Sequence, residues 1–270
     1  MRCKFVSNFI DLYSMDEVVA TSCAIIQRDG FVHCADVNVA TIVNSTKNEQ
    51  LRNAINSADL INIDGMGVVW GARLCGLEVP ERVAGVDLFL ELLAMAAREG
   101  FPVYFLGARE AVVDTVARRM QERFPGLQLA GWHHGYFWDD EAAVVQAIRE
   151  SGAKLLFVAI SSPKKENFIH AWKEQLGVRF VMGVGGTFDV IAGRTRRAPK
   201  WMQRIGLEWF YRLCQEPRRM WKRYLVTNSV YAWLLVKEFF GARRDEGTER
   251  RRDEEHKRDE KTKGTNRRRD

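Results

Sequence analysis

Short apolar runs alternate with helical patterns over most of the first 190 residues. Five runs, each short and mostly apolar, predict buried strands at residues 60–63, 103–106, 127–131, 154–160 and 180–184. Residues 31–33 and 37–39 flank a polar bend, which predicts a further strand that runs into a loop. Apolar residues at helical spacing predict helices at 68–74, 87–98, 112–124, 139–150 and 163–176, and around Leu51 and Ile55.

This alternation predicts an α/β fold with a Rossmann-like parallel sheet and helices on both of its faces. In such sheets ligands bind beyond the carboxyl ends of the strands. Several of the predicted strand ends carry polar residues or glycine, at 64–65, 107, 161–163 and 183–186. The sequence therefore predicts a binding site built from these segments.

The alternation stops after Gly193, and the change in pattern divides the chain into three regions. Residues 1–196 are expected to form the Rossmann-like core. Residues 197–241, called the appendage below, are rich in Trp, Arg and apolar residues at helical spacing, which predicts a helical region. Residues 242–270 are dominated by Arg, Lys, Glu and Asp and contain no Phe, Trp or Tyr, so we expect a disordered tail.

The charge is unevenly distributed along the 270 residues, whose net charge is +6. Residues 1–193 have a net charge of −5, whereas residues 194–224 hold 10 Lys or Arg and 2 Glu, a net charge of +8. Such a basic segment indicates an anionic partner: phosphate, nucleic acid or acidic lipid. Because Trp and Tyr are interleaved with the basic residues, the pattern favours an anionic membrane surface. A helical subdomain packed on the core, with solvated arginines, is the alternative.

Other features narrow the class of protein. Residues 1–10 lack the apolar stretch of a secretory signal, and no segment reaches the roughly 18–20 apolar residues that span a bilayer. The 5 cysteines show no paired spacing, so neither a disulfide framework nor a zinc site is expected. The Asp-x-Asp pattern that holds a metal–nucleotide in many glycosyltransferases is missing from the sequence. We therefore predict a cytoplasmic protein that uses no metal and no cofactor.

Asp64 is the leading candidate for chemistry. It follows an apolar strand and precedes Gly65, so its carboxylate could act as a general base at the strand's carboxyl end. The alternative is an Asp that caps the next helix. Asp36 and Asn38 lie near the end of an earlier strand and could line the same crevice. Their alternative role is turn formation, because Asp and Asn side chains bond to their own backbone.

Three segments are candidates for binding phosphate. The glycine-rich loop 183–189 follows a strand and could bring backbone amides to a diphosphate, although it has neither Walker nor G-x-G-x-x-G spacing. Segment 161–166 places Pro163 and two lysines at the start of a helix. Arg82 lies in a loop before a helix and suits bidentate phosphate recognition. The alternatives are, in the same order, a tight turn, a solvated charged turn and a surface arginine.

Taken in order, these motifs resemble the WecG/TagA/CpsF family of glycosyltransferases. The resemblance covers about residues 30–224 and includes Asp-Gly-Met-Gly-Val-Val-Trp at 64–70 and Gly-Val-Gly-Gly-Thr-Phe-Asp at 183–189. The other matching segments are 81–87, 105–107, 135–137, 163–166, 197–199, 208–209, 211–213 and 216–218. A single one of these motifs is common in unrelated proteins, whereas the ordered set is specific.

The resemblance implies an inverting, metal-independent glycosyltransferase that works as a peripheral protein on the inner face of the cell membrane. The donor would be UDP-linked N-acetylmannosamine or its uronic acid. The acceptor would be undecaprenyl-diphosphate-linked N-acetylglucosamine, in cell-envelope or exopolysaccharide biosynthesis. The appendage would bind the membrane and close the site over the diphosphate. No nucleic-acid partner is expected, and a homo-oligomer stays open.

The resemblance also assigns roles to individual residues. Asp64 matches the proposed catalytic base, and Asp36 is the second catalytic candidate because it places another carboxylate nearby. The remaining candidates would bind substrate: Asn38, Arg82, Gly107, Tyr136, Pro163, Lys165, Glu166, Gly185, Gly186, Arg212, Arg218 and Arg223.

Two departures from the family pattern bear on the donor sugar. Asp36 stands where Thr is common, and a second carboxylate beside Asp64 could raise one of the two pKa values. Lys165 stands where Gln is common. Three alternative functions stay open: a UDP-hexosyl transferase, for example a glucosyltransferase, a nucleic-acid-binding protein, and a membrane adaptor without catalytic activity.

Overall fold

A computed structural model describes residues 1–218, 220–222 and 224–240. Within these residues the strands are β1 (Arg2–Phe5), β2 (Asn8–Asp11), β3 (Val32–Val37), β4 (Leu60–Ile63), β5 (Val103–Gly107), β6 (Leu129–His133), β7 (Leu155–Ala159) and β8 (Phe180–Gly183). The helices are α1 (Met15–Gln27), α2 (Val39–Lys47), α3 (Glu49–Asn56), α4 (Met66–Leu74), α5 (Gly85–Glu99), α6 (Glu110–Arg123), α7 (Glu141–Glu150), α8 (Lys164–Trp172), α9 (Thr187–Ile191), α10 (Lys200–Arg204) and α11 (Glu208–Gln215).

Strands β3 to β8 form one sheet in the order β4-β3-β8-β7-β5-β6, and every neighbouring pair is parallel. Helices cover both faces, so the predicted Rossmann-like α/β fold is confirmed. Because the strands are parallel, their carboxyl ends meet at a single edge of the sheet. This carboxyl edge is the place where ligands bind in open α/β sheets.

Alternate residues of each strand face two different cores. Helices α1, α5, α6 and α9 cover one face, where the rings of Phe89 and Phe157 meet edge to face. Helices α2, α3 and α4 cover the β3–β4 end of the other face, and α7 and α8 cover its β5–β7 part. With both faces covered, β5 and β7 are buried over their whole length. Continuous apolar runs in the sequence reflect this two-sided burial.

The amino-terminal third differs in part from the sequence prediction. The expected polar bend is wrong, because β3 runs without interruption from Val32 to Val37. Asp36 is tolerated there since it sits near the carboxyl end of the strand, where Asn62 donates a hydrogen bond to it. The sequence pattern predicted neither the hairpin β1–β2 nor helix α1. The two strands of the hairpin are only four residues long and mix polar with apolar residues. The strand expected at 127–131 begins two residues later.

The described part of the appendage is helical, as predicted. After α10 and α11, helical backbone covers residues 217–218, 220–222 and 224–240. Tyr231 is buried, and its hydroxyl donates a hydrogen bond to the carbonyl oxygen of Gly67 over 3.1 Å. A methyl group at Gly71 would lie 2.7 Å from Leu235, so the helix at 224–240 packs closely on α4.

No helix among the described residues is both long and apolar enough to cross a bilayer. The expected disorder of residues 242–270 concerns a segment outside the described residues.

Candidate active site

The carboxyl edge of the sheet gathers most of the predicted site residues. Asn38 follows β3, Asp64 follows β4, Gly107 ends β5, and residues 184–186 follow β8. The order of the strands places β3 between β4 and β8. Asp64, Asn38 and the glycine loop therefore lie on three adjacent strand ends, as the parallel sheet requires.

Asp64 is fixed by the start of helix α5. Its Oδ1 accepts a hydrogen bond from the backbone N–H of Gly85, the first residue of that helix, over 2.9 Å. Burial raises the pKa of Asp64, whereas this hydrogen bond and the positive charge of Arg82 lower it. Asp64 does not cap the next helix, α4, because Gly65 is the N-cap of that helix and no side chain among the described residues caps it. Asp64 instead bonds the first N–H of α5, which fixes the direction of its carboxyl group.

Asp36 lies beside the same glycine. A Cβ atom at Gly85 would be only 2.7 Å from Asp36 Oδ2, so the absence of a side chain at Gly85 makes room for the carboxyl group. Asn62 donates a hydrogen bond to Asp36 Oδ1 over 3.4 Å. Burial, and after it the negative charge of Asp64, raises the pKa of Asp36 to about 8. At neutral pH Asp36 is therefore mostly protonated.

Asn38 has a structural role in addition to its position in the site. Its side-chain oxygen accepts a hydrogen bond from the N–H of Thr41 over 3.1 Å and caps α2. The backbone of Gly65 approaches the side chain of Asn38, since a Cβ at Gly65 would be 3.2 Å from Asn38 Cβ. The side-chain oxygen of Asn38 therefore bonds to the local backbone, as the alternative interpretation expected. The residue also lies next to Gly65, which follows Asp64 in the chain.

Arg82 is drawn into the protein rather than left on the surface. Its Nη1 donates to Glu208 Oε2 over 3.0 Å, and its side chain is only 14 % exposed. Glu208 also accepts from Arg197 Nε over 3.3 Å, and Arg197 holds Asp87 through two bonds of 2.6 Å. The sequence offered no signal for these pairs, because Arg82 and Glu208 are 126 positions apart.

The loop after β8 has open space above it and a lysine beside it. A side chain at Gly185 or Gly186 would meet nothing within 4 Å, and Gly185 has a φ of +50°. The stem of Lys165 crosses Gly183, where a Cβ would overlap with it, and Lys165 Nζ lies 3.4 Å from both the Gly183 oxygen and Glu166 Oε1. Glu166 is buried, and its Oε2 has no hydrogen-bond partner among the described residues.

The segment before Lys165 matches its alternative interpretation more closely. Ser161, Ser162, Pro163 and Lys164 are exposed, as expected for a solvated turn. Pro163 precedes the first residue of α8 instead of occupying it. Only Lys165 and Glu166 of this segment turn inward, toward the loop after β8.

Gly107 and Tyr136 lie at the other end of the carboxyl edge. Gly107 has a φ of +124°, and a Cβ there would overlap with the backbone of Ala159. Tyr136 follows β6 and is 67 % exposed. The two outer strands, β4 and β6, are about 24 Å apart at about 4.8 Å per strand. Tyr136 follows Gly135, whose N–H donates to the carbonyl oxygen of Ala108 just after β5, so Tyr136 lies toward the β5 end of the edge and Asp64 at the β4 end.

The arginines of the appendage lie in and after α11. Arg212 is exposed, and its charge is near enough to lower the pKa of Asp64. Arg218 is exposed after that helix, and Arg223 is outside the described residues. Large apolar side chains are also exposed on α4 and along the appendage: Trp70, Leu74, Trp201, Ile205, Trp209, Phe210, Trp221, Leu225, Trp233 and Phe240. The sequence did not predict that Trp70 and Leu74 of the core belong to this exposed apolar set.

Among the described residues, no three His, Cys, Asp or Glu side chains form a group that could hold a metal ion. The centre of the site consists of the carboxyl groups of Asp36 and Asp64, with the cationic side chains of Arg82 and Lys165 nearby.

Comparison with known sequences identifies the family. The sequence model of the glycosyl transferase WecG/TagA/CpsF family matches residues 3–245. The chain belongs to this family. It is a glycosyltransferase, which confirms the predicted class of enzyme.

Two relatives of this glycosyltransferase have the same name, N-acetylglucosaminyldiphosphoundecaprenol N-acetyl-beta-D-mannosaminyltransferase. The protein of Bacillus subtilis (strain 168) is 35 % identical over 202 residues, which are 75 % of this chain and 78 % of the relative. The protein of Bacillus spizizenii (strain ATCC 23059 / NRRL B-14472 / W23) is 38 % identical over 192 residues, 71 % of this chain and 74 % of the relative.

Proposed function

We propose that this glycosyltransferase moves N-acetylmannosamine, or its uronic acid, from UDP to an undecaprenyl-diphosphate-linked sugar. Both relatives are named for a mannosaminyl transfer to N-acetylglucosaminyldiphosphoundecaprenol. The observation that carries the proposal is the Asp64 carboxylate, held by the N–H of Gly85 at the carboxyl edge of the sheet. The product would be a lipid-linked disaccharide for cell-envelope or exopolysaccharide synthesis.

In the proposed reaction Asp64 takes the proton from the acceptor hydroxyl. The hydroxyl oxygen then forms a bond to the anomeric carbon of the donor, and the bond from that carbon to the β-phosphate oxygen breaks. Attack opposite the leaving group inverts the anomeric centre. Because the base and the cationic side chains come from the protein, the proposed reaction needs no metal ion.

Asp36 would act as a hydrogen-bond donor in the reaction and not as a base. A carboxyl group that stays protonated near neutral pH can donate a hydrogen bond to a sugar hydroxyl or carbonyl. The raised pKa of Asp36, caused by burial and by Asp64, supports this division between one acid and one base. Its position against Gly85 places it beside the base.

The leaving diphosphate would be bound by the loop after β8 and by the appendage. Gly185 and Gly186 leave open space for a phosphate close to the backbone. Arg212 and Arg218 are exposed and would neutralise the charge that develops on UDP. Tyr136 and Gly107, farther along the edge, would contact the distal part of the donor.

The appendage would hold the enzyme at the inner face of the membrane. Exposed Trp side chains along it suit the lipid headgroup region. Each nearby Lys or Arg adds about 1 kcal/mol of attraction to an anionic leaflet. We expect Trp201→Ser combined with Trp221→Ser to weaken sedimentation with phosphatidylglycerol vesicles about tenfold or more. Trp132→Ser, an exposed Trp of the core, is the control, and equal binding by all variants would contradict the role of the appendage.

A UDP-hexosyl transferase is the second candidate. Asp36 and Lys165 are the residues that favour it, because both depart from the family pattern and lie close to Asp64, where a donor sugar would be bound. A panel of UDP-sugars separates the two candidates directly, since the preferred donor gives the higher kcat/KM.

The base is tested by Asp64→Asn, which keeps the shape of the side chain and removes its proton affinity. We expect UDP release in the presence of acceptor to fall by about 10³-fold or more, with UDP-sugar affinity within a fewfold of wild type. Asp139→Asn, at an exposed carboxylate, is the matched control. Turnover by Asp64→Asn at the wild-type rate would eliminate Asp64 as the base.

A further inference from the structure

Four charged side chains link the appendage to the core in a continuous chain. Asp87 of α5 binds Arg197, Arg197 binds Glu208 of α11, and Glu208 binds Arg82 in the loop before α5. We call this chain the clasp. The Glu208 carboxylate belongs to two of the ion pairs: its Oε1 faces Arg197 and its Oε2 faces Arg82.

The clasp is shielded from solvent. The side chains of Arg82, Arg197 and Glu208 are 14 %, 17 % and 24 % exposed, and Asp87 at the outer end of the clasp is 35 % exposed. Arg197 grips both oxygens of Asp87, which is the strong bidentate form of this interaction. Glu208 is also the first residue of α11, where the helix dipole favours a negative charge. The Glu208 carboxylate is therefore held from several directions.

The clasp reaches the catalytic carboxylates. Arg82 lies three positions before Gly85, whose N–H binds Asp64. Burial is the main cause that raises the pKa of Asp64; among the charges around it, Arg82 and Arg212 lower that pKa and Glu208 raises it. Asp36 is the other acidic group that faces Asp64. Removing the negative charge of Glu208 should therefore lower the pKa of Asp64.

Two roles for Glu208 are compatible with these contacts. It could compete with substrate for Arg82, or it could hold Arg82 in the orientation that substrate needs. The contact with Glu208 uses one N–H of Arg82, and a guanidinium has five such donors. The other donors can serve a substrate while Glu208 stays bound, and Arg197 keeps Glu208 in place. This geometry favours orientation over competition.

We propose that Glu208 is a positioning residue that orients Arg82 and the loop 82–85 beside Asp64. The inference rests on the proposed glycosyl transfer and adds to it a residue of the appendage that acts through another side chain. Arg82 would contact the substrate, and Glu208 would not.

The test compares Glu208→Gln, Glu208→Asp and the exposed control Glu122→Gln in the full chain. We expect Glu208→Gln to lower kcat about ten- to a hundredfold, because a catalytic group displaced by 1 Å is costly. The acid limb of its kcat/KM profile should move to lower pH by roughly half a unit, because a negative charge near Asp64 is gone. Glu208→Asp should keep the acid limb of the profile at the wild-type pH. Glu122→Gln should match wild type in both kcat and the position of the acid limb.

A higher kcat or kcat/KM in Glu208→Gln would overturn the proposal in favour of competition. A loss of activity with an unmoved acid limb would also overturn it, since it would indicate a purely structural role. A side-chain NMR signal of Arg82, recorded without substrate, gives a readout that needs no turnover: it should shift in Glu208→Gln and stay in Glu122→Gln. A wild-type enzyme without transfer would refute the proposed function, and an unshifted Arg82 signal would refute only the clasp.

Discussion

The protonated state of Asp36 makes a prediction about folding stability that needs no substrate. The pKa of Asp36 is raised to about 8 in the folded protein, against about 3.9 for an unperturbed Asp. Burial is the main cause, followed by the charge of Asp64; Lys165 and Asn62 oppose them, and Glu166 adds to them. The folded state therefore binds one proton more than the unfolded state between about pH 4 and pH 8.

The extra proton on Asp36 in the folded state decides how stability changes with pH. As pH rises from about 4 to 8, the unfolded chain has already released the proton that the folded chain keeps, so stability falls. Each pKa unit corresponds to 1.36 kcal/mol, which gives an upper limit of about 5–6 kcal/mol for a shift of about four units. Because Asp36 as a residue is half-buried, and the effective dielectric constant at such sites is well above that of a dry interior, we expect a smaller effect of about 1–3 kcal/mol at pH 8.

Asp36→Asn removes this titration. We expect the variant to be more stable than wild type by about 1–3 kcal/mol at pH 8 and by less than about 1 kcal/mol at pH 5, measured by urea unfolding. Asp139→Asn, at an exposed carboxylate, should stay within about 0.5 kcal/mol of wild type at both pH values. A difference between Asp36→Asn and wild type that is equal at pH 5 and pH 8, or that becomes destabilising as pH rises, would refute the reasoning.

Two further substitutions test contacts near the site. Gly85→Ala puts a methyl group about 2.7 Å from Asp36 Oδ2, so we expect UDP release to fall about tenfold or more, with a normal far-ultraviolet circular dichroism spectrum. Tyr231→Phe removes the hydrogen bond to Gly67 and should lower the free energy of unfolding by about 1 kcal/mol in urea titration; an unchanged value would show that this bond does not hold the appendage on α4.

Much of the fold was predictable because both faces of the sheet are covered. Strands such as β5 and β7 are then wholly apolar, and their ends are marked by Gly107 and by the turn at 161–163. Parallel strands bring such ends together whatever their distance in sequence, and for this reason Asp64 and the loop after β8 could be placed at one edge before any coordinates.

The contacts that complete the site were not predictable from local pattern. The pairing of Arg82 with Glu208 joins segments 126 positions apart, and neither segment carries a signal for the other. Asp36 was expected in a bend, because an Asp within an apolar run normally marks a strand end; its hydrogen bond from Asn62 on the neighbouring strand lets β3 continue. The hairpin β1–β2 is too short for its alternation to stand out.

The most direct test of the proposed function is UDP release from a panel of UDP-sugars in the presence of EDTA. The acceptor is undecaprenyl-diphospho-N-acetylglucosamine or a short-chain analogue. We expect acceptor-dependent release with a mannosaminyl donor, unaffected by EDTA and abolished by Asp64→Asn. Release that disappears with EDTA and returns with a divalent cation would contradict the metal-free mechanism, and no acceptor-dependent release from any UDP-sugar would contradict the proposed transfer itself.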